Sequence, residues 1–249
     1  TCTRQISSLR LNDFLRLIAA APAPVAVLFA VLTKVGLYAI IRVHGLLLGL
    51  DTLTPLIFGA GALGIVAGGV GALASRGMRE MVGWLVIASV STATLAIGVG
   101  GTAGISAGLY YALHSTLVTG ALFLLAEVVT SQRNGDTFEP GPRLSRHAVV
   151  AALFLIAAME FAGLPPTSGF VGKLAVLTAT AAGPGAGWIA VILLGGLLAL
   201  LTLSRAGTAL FWNVDPERTA AEPMPAAQLV PVVWLLGLSL VLMMAAGPV

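Results

Sequence analysis

Charge is what this sequence has least of. Asp, Glu, Lys and Arg make up only 9% of its 249 residues, and 58% are hydrophobic. Soluble domains carry about 25% charged residues, so the deficit excludes a soluble globular chain and reads as an integral membrane protein. Cysteine is nearly missing: the single Cys2 cannot pair within the chain, and no Cys/His cluster suggests a metal. No nucleotide, metal or nucleophile motif stands out, so the reading includes no cofactor and no soluble enzyme. The opening Thr1-Cys2-Thr3-Arg4-Gln5 has no initiating Met and no apolar signal-peptide core, which reads as a fragment or a processed product. No spanning run alternates polar and apolar residues as a barrel strand would, so the spans are helices. The net charge of +3 comes from arginines outside the apolar runs, so it reads as topology and not as nucleic-acid binding.

Lysine is the scarcest charge of all. There are two, Lys34 and Lys173, and both lie inside apolar segments, whereas the polar loops use arginine alone. A desolvated lysine can lose its proton; arginine effectively cannot. The titratable cations thus lie only where titration at neutral pH becomes plausible.

The apolar runs give an all-α integral membrane protein. Residues 1–20, with Arg4, Arg10, Asp13 and Arg16, read as an irregular or amphipathic lead-in, and 21–249 as the transmembrane domain. Spans fall at roughly 22–43, 54–74, 81–99, 103–129, 187–211 and 228–246, with Asp51–Pro55 as a turn. The 54–74 run is rich in glycine, which lets helix backbones approach closely in lipid.

Between Met159 and Lys173 the chain breaks its own helix. Pro165 and Pro166 lack N–H groups, and their rings crowd the carbonyls of Phe161 and Ala162. Thr167 or Ser168 can cap a new helix. A broken membrane helix needs protein or water around its freed polar groups, and a lysine beside it reads as part of an ion or proton path. The halves, roughly 147–163 and 168–182, are each shorter than the ~20 residues of a straight span. Counted as one discontinuous span, they give about seven in all. Nine arginines then share one side and Arg42 marks the other. The positive-inside rule puts the N-terminus in the cytoplasm and the C-terminus outside the inner (plasma) membrane.

Three buried cations are the candidate path. Lys34 sits near mid-bilayer, where it must pair, deprotonate or touch water; Thr33 and Tyr38 could bond it. His114 sits centrally in its span, and small field changes move a histidine proton. Opposed influences act on Lys173: desolvation and the positive end of its half-helix weigh against the ammonium, and the freed carbonyls of Phe161 and Ala162 weigh for it. Glu160, in the last turn before the break, is its candidate partner, or else an acid facing a wet loop. Thr167, Ser168 and Tyr111 are supporting candidates. Glu127 and Arg205, near helix ends, stand between supporting the path and a structural role at the interface.

At these residues the sequence resembles the antiporter-like family, which joins the D-type components of Mrp/Pha-type multisubunit cation/proton antiporters to the proton-pumping membrane subunits of respiratory complex I. Residues 23–42 resemble its lysine-bearing helix, 78–84 its basic loop, 109–127 its histidine helix, 162–173 its second broken helix with the distal lysine, and 204–212 the D-type members in particular. The resemblance implies a half-channel in which protons pass along Lys34, His114 and Lys173, linked by water. It implies two inverted repeats, each with one broken helix, of which the chain carries the C-terminal part: the first broken helix, its lysine and a buried glutamate would precede residue 20. Two departures are Glu80 after Arg79 and Glu160 at a usually apolar position.

The expected function is a subunit, truncated at its N-terminal side, of a monovalent cation/proton antiporter. Its partners are other subunits of that complex, the lipid bilayer, protons and monovalent cations. Two alternatives stay open: a proton-translocating membrane subunit of a complex I-like oxidoreductase or hydrogenase, and a non-transporting scaffold fragment.

Overall fold

The computed structural model describes residues 23–46, 50–133, 135–183, 186–215 and 224–246. The expected lead-in at 1–20, and Glu217, Arg218 and Glu222 of the last polar loop, lie outside the described residues. Among the described residues the fold has eight α-helices: α1 Ala23–Leu46, α2 Leu50–Ala74, α3 Met78–Gly98, α4 Gly101–Arg133, α5 His147–Ala162, α6 Ser168–Ala181, α7 Ala186–Gly207 and α8 Val230–Ala245. No strand occurs among the described residues; two isolated bridges pair Gly77 with Thr137 and Gly141 with Val214. One expectation fails: Asp51–Pro55 is helix and not a turn, because α2 begins at Leu50 and carries Pro55 inside it.

Among the described residues, five helices are long and apolar enough to cross a membrane, within Thr54–Ala74, Met78–Gly98, Gly101–Arg133, Gly187–Trp212 and Ala226–Ala245. At 16 and 14 residues, α5 and α6 are each too short to cross ~30 Å of hydrocarbon alone.

The 33-residue α4 is the axis of the bundle. At 1.5 Å per residue it is about 50 Å long, so it outreaches the hydrocarbon core. It packs against α1, α3, α5, α6 and α8, and its middle is buried on nearly all sides. Beside it, α2 and α3 nestle through the glycine stripe. Cβ atoms on Gly64, Gly68 and Gly71 would collide with Ser91, Ala88 and Trp84, and one on Gly61 would press on Leu95. Small residues here allow the backbone approach that substitutes for a hydrophobic drive in lipid.

The arginine-rich loops gather at one end. Arg205 Nη2 donates to Ser75 O at 2.8 Å, and its guanidinium lies 5.0 Å from the Phe138 ring centroid. Arg133 Nη2 donates to Leu210 O at 2.8 Å, and Arg146 Nε to Met224 O at 3.2 Å. A π-helical turn, Thr208–Trp212, continues α7 there. Gly183, just past α6, lies instead against Val99 at the far end of α3. Together α5 and α6 therefore carry the chain from the arginine end to the opposite end, and α7 brings it back.

Candidate functional site

The break is built by a closed helix end followed by prolines. Gly163 stands at φ 77°, a left-handed cap that glycine adopts without a Cβ penalty. Its N–H donates to Met159 O at 3.0 Å and to Glu160 O at 3.1 Å, and Leu164 N–H donates to Met159 O at 3.0 Å. Pro165 and Pro166 bring no N–H to the carbonyls of Phe161 and Ala162. Thr167 starts α6: its hydroxyl accepts Phe170 N–H at 3.3 Å and donates to Leu164 O at 2.7 Å.

Lys173 takes up the carbonyls left over. Its Nζ donates to Phe161 O at 3.1 Å and to Ala162 O at 2.6 Å. It also lines a narrow cavity with Tyr111, Thr92, Ser89, Phe161 and Gly196. That cavity offers about 10 Å³ to a water-sized sphere, about one water molecule's worth. The Tyr111 hydroxyl lies beside Thr92 within the same interior.

His114 is 1% exposed. Ser168 Oγ lies 2.7 Å from its Nδ1, Ser239 Oγ lies 2.5 Å from Ser168 Oγ, and Ser239 Oγ is 3.5 Å from Nδ1. The opposite ring nitrogen, Nε2, lies on the side of the Glu160 carbonyl, both of them close to one point beside Gly169. The Tyr111 ring packs with its centroid 6.0 Å from that of the imidazole. What lets α6 come so close is Gly169: a Cβ there would fall 1.8 Å from Glu160 O and 2.9 Å from His114 Nε2.

Two groups lack what the sequence suggested for them. Lys34 Nζ is buried without a hydrogen-bond partner among the described residues. Thr33 bonds its own helix at Ala30 O, 3.0 Å away, and Tyr38 is 59% exposed, so neither serves Lys34. Glu160 is not the ion partner of Lys173 and faces no wet loop. It is fully buried, and neither carboxylate oxygen makes a complete hydrogen bond among the described residues. The Ser239 hydroxyl faces it.

The structure brings Lys173 and Lys34 each within electrostatic reach of His114, Lys173 the more strongly. It does not bring Glu127 or Arg205 to them. Glu127 is ion-paired with Arg79 at the arginine end, and Arg205 bonds Ser75 there. Ser239 is the site residue that sequence reasoning missed. Its signal was modest: one serine among the leucines and methionines of the last apolar run.

The sequence matches the family described as NADH:quinone oxidoreductase/Mrp antiporter, transmembrane, over residues 15–202. It is 35% identical to the D component of a probable K⁺/H⁺ antiporter from Rhizobium meliloti (strain 1021), over 92% of this chain and 49% of that protein. It is also 35% identical to the D component of the Na⁺/H⁺ antiporter from Bacillus subtilis (strain 168), over 80% of this chain and 41% of that protein. The chain thus spans about half the length, or less, of these relatives. Its fold resembles a chain of the Mrp complex from Dietzia sp. DQ12-45-1b, with a TM-score of 0.79, 22% identity, and coverage of 94% of this chain and 52% of that one.

Proposed function

The chain belongs to the NADH:quinone oxidoreductase/Mrp antiporter transmembrane family, and from that premise we propose that it acts as a D-type subunit of a multisubunit monovalent cation/proton antiporter. It is a multi-pass membrane protein. Adding α1 and the joined α5–α6 crossing to the five long apolar helices gives about seven spans. Its place is the inner (plasma) membrane, with the arginine end and the N-terminus in the cytoplasm and the C-terminus outside. Other subunits of the complex surround it.

Protons pass along Lys34, His114 and Lys173. The observation that carries this reading is the Lys173 ammonium resting on the two carbonyls freed by the proline pair. Those carbonyls hold the charged form, and the dry surroundings oppose it. A change of charge at one member of the row alters proton affinity at the next. Antiport then follows from any step that moves a cation and a proton in alternation past the same row.

The test is Lys173→Ala in vesicles containing the whole complex. Proton-coupled sodium or potassium transport is lost while the complex still assembles; unchanged transport removes the mechanism. The same experiment separates out a scaffold role, which leaves transport intact with Lys34, His114 and Lys173 all replaced. A redox-driven pump is the second reading, favoured by a family that joins oxidoreductase and antiporter subunits. Co-purification with a quinone-reducing or iron–sulfur-bearing arm would select it.

A further inference from the structure

The Glu160 carboxylate is the group that the lysine–histidine row leaves unexplained. A charged carboxylate at membrane depth costs several kcal/mol unless it is paired or protonated. Glu160 is fully buried and has no ion partner among the described residues. The nearby ammonium, Lys173, is turned to the Phe161 and Ala162 carbonyls instead. Yet Glu160 is not isolated. From it, hydroxyls lead to the histidine: Ser239 faces the carboxylate without a completed hydrogen bond, Ser239 Oγ is 2.5 Å from Ser168 Oγ, and Ser168 Oγ is 2.7 Å from His114 Nδ1. Three helices contribute: α5 supplies Glu160, α6 Ser168 and α8 Ser239, all against His114 of α4.

Elementary hydrogen-bond chemistry sets the direction of this chain. A backbone carbonyl can only accept, so the nitrogen facing Glu160 O, Nε2, carries the hydrogen in both neutral and charged imidazole. Nδ1 is therefore the nitrogen that gains and loses a proton. Serine hydroxyls can each accept one hydrogen bond while donating another.

We propose that Glu160 and His114 share one proton through the Ser239–Ser168 hydroxyl pair, so that the path has a carboxylate terminus beside its lysine one. In one state His114 is imidazolium and Glu160 is carboxylate, with hydrogens pointing from Nδ1 to Ser168, to Ser239, to Glu160. In the other, Glu160 is a neutral acid and donates to Ser239, which donates to Ser168, which donates to neutral Nδ1. Each hydroxyl passes one hydrogen on and receives one, so a single proton crosses and nothing else changes. The charged groups that bias the exchange are Lys173 and Lys34, whose charges both reach His114. A proton arriving on Lys173 pushes the shared proton from imidazolium toward Glu160 by like-charge repulsion. Glu160 thereby holds the proton that His114 must give up while its neighbours are charged.

This rests on the reading of His114 as a proton carrier, and its test separates the two. The whole complex, labelled with ¹⁵N-histidine, is reconstituted in lipid and measured by solid-state nuclear magnetic resonance. The Nδ1 signal of His114 moves in Glu160→Gln, which keeps the shape but cannot take up the proton, and moves in Ser239→Ala. Transport falls about tenfold in Ser239→Ala and returns in Ser239→Thr, which restores a hydroxyl. An Nδ1 signal unmoved by Glu160→Gln, or equal transport in Ser239→Ala and the parent, overturns the proposal. If Lys173→Ala abolishes transport while Nδ1 ignores Glu160→Gln, the shared proton alone fails. If Lys173→Ala transports normally, the row fails, and the resonance measurement still decides the Glu160–His114 link.

Discussion

The arginine end and the buried centre of this bundle treat charge in opposite ways. At the end, these charged side chains each have at least one fixed counterpart, even where single atoms such as Arg133 Nε and Nη1 go unbonded among the described residues: Arg79 pairs with Glu127, Arg133 with Leu210 O, Arg205 with Ser75 O, Arg146 with Met224 O, and Asp136 Oδ2 accepts Arg79 N–H at 2.7 Å. In the centre, Lys34 Nζ and both Glu160 oxygens lack full partners among the described residues, and Lys173 rests on two carbonyls that carry no counter-charge. Arginine holds its charge whatever surrounds it, so it suits a structural lacing. Lysine, histidine and glutamate can answer a poor environment by changing protonation. On the proposed reading, a centre left under-bonded is a stability cost retained for proton movement.

Substitutions that break this contrast should differ in size and in kind. The largest loss is expected from Gly169→Ala. Its Cβ would meet the Glu160 backbone 1.8 Å away, with no flexible side chain to yield. The half-helices must part, at a cost at or above the ~3 kcal/mol upper end of ordinary overpacking. Thermal unfolding of the solubilised complex should show it directly, with poor assembly in cells.

Lys34→Met sharpens the contrast, because stability and transport should move in opposite directions. Removing a buried ammonium without a partner among the described residues should be neutral or stabilise by about 1 kcal/mol or more, while transport through the row is lost. Parallel melting curves and vesicle assays check it; a clear drop in melting temperature would show that Lys34 has a structural partner after all.

Smaller still is Arg79→Ala at the laced end. The Glu127 side chain is 44% exposed, so solvent screening holds the ion-pair contribution to roughly 1 kcal/mol or less. Loss of the Arg79 side chain should lower the melting temperature slightly and leave transport per assembled complex near that of the parent. A large fall in transport would move Arg79 from lacing to path.

Much of the fold is legible in the residues themselves. Apolar runs mark the helices, and Pro165-Pro166 marks the break, because two successive residues without N–H leave two carbonyls in a row without helix partners, where the single Pro55 is carried inside α2. The carbonyls Lys173 takes up are readable for the same reason. Asp51–Pro55 misleads, since polar residues and a proline read as a turn but also fit an early part of a helix such as α2. What the sequence cannot supply is rotation. Nothing local says that Tyr38 turns outward or that Ser239 of α8 meets Ser168 of α6, some seventy positions earlier in the chain. Helices that are apolar on every side carry little stripe to orient them, so their facing is decided only by packing.

The central claim is that the ammonium must let go of its proton, not merely be present. Lys173→Arg tests it most directly, since a guanidinium can still donate to Phe161 O and Ala162 O but effectively never deprotonates. In vesicles holding the whole complex, the account predicts normal assembly with proton-coupled cation transport abolished. Transport at the parental rate in Lys173→Arg would contradict it.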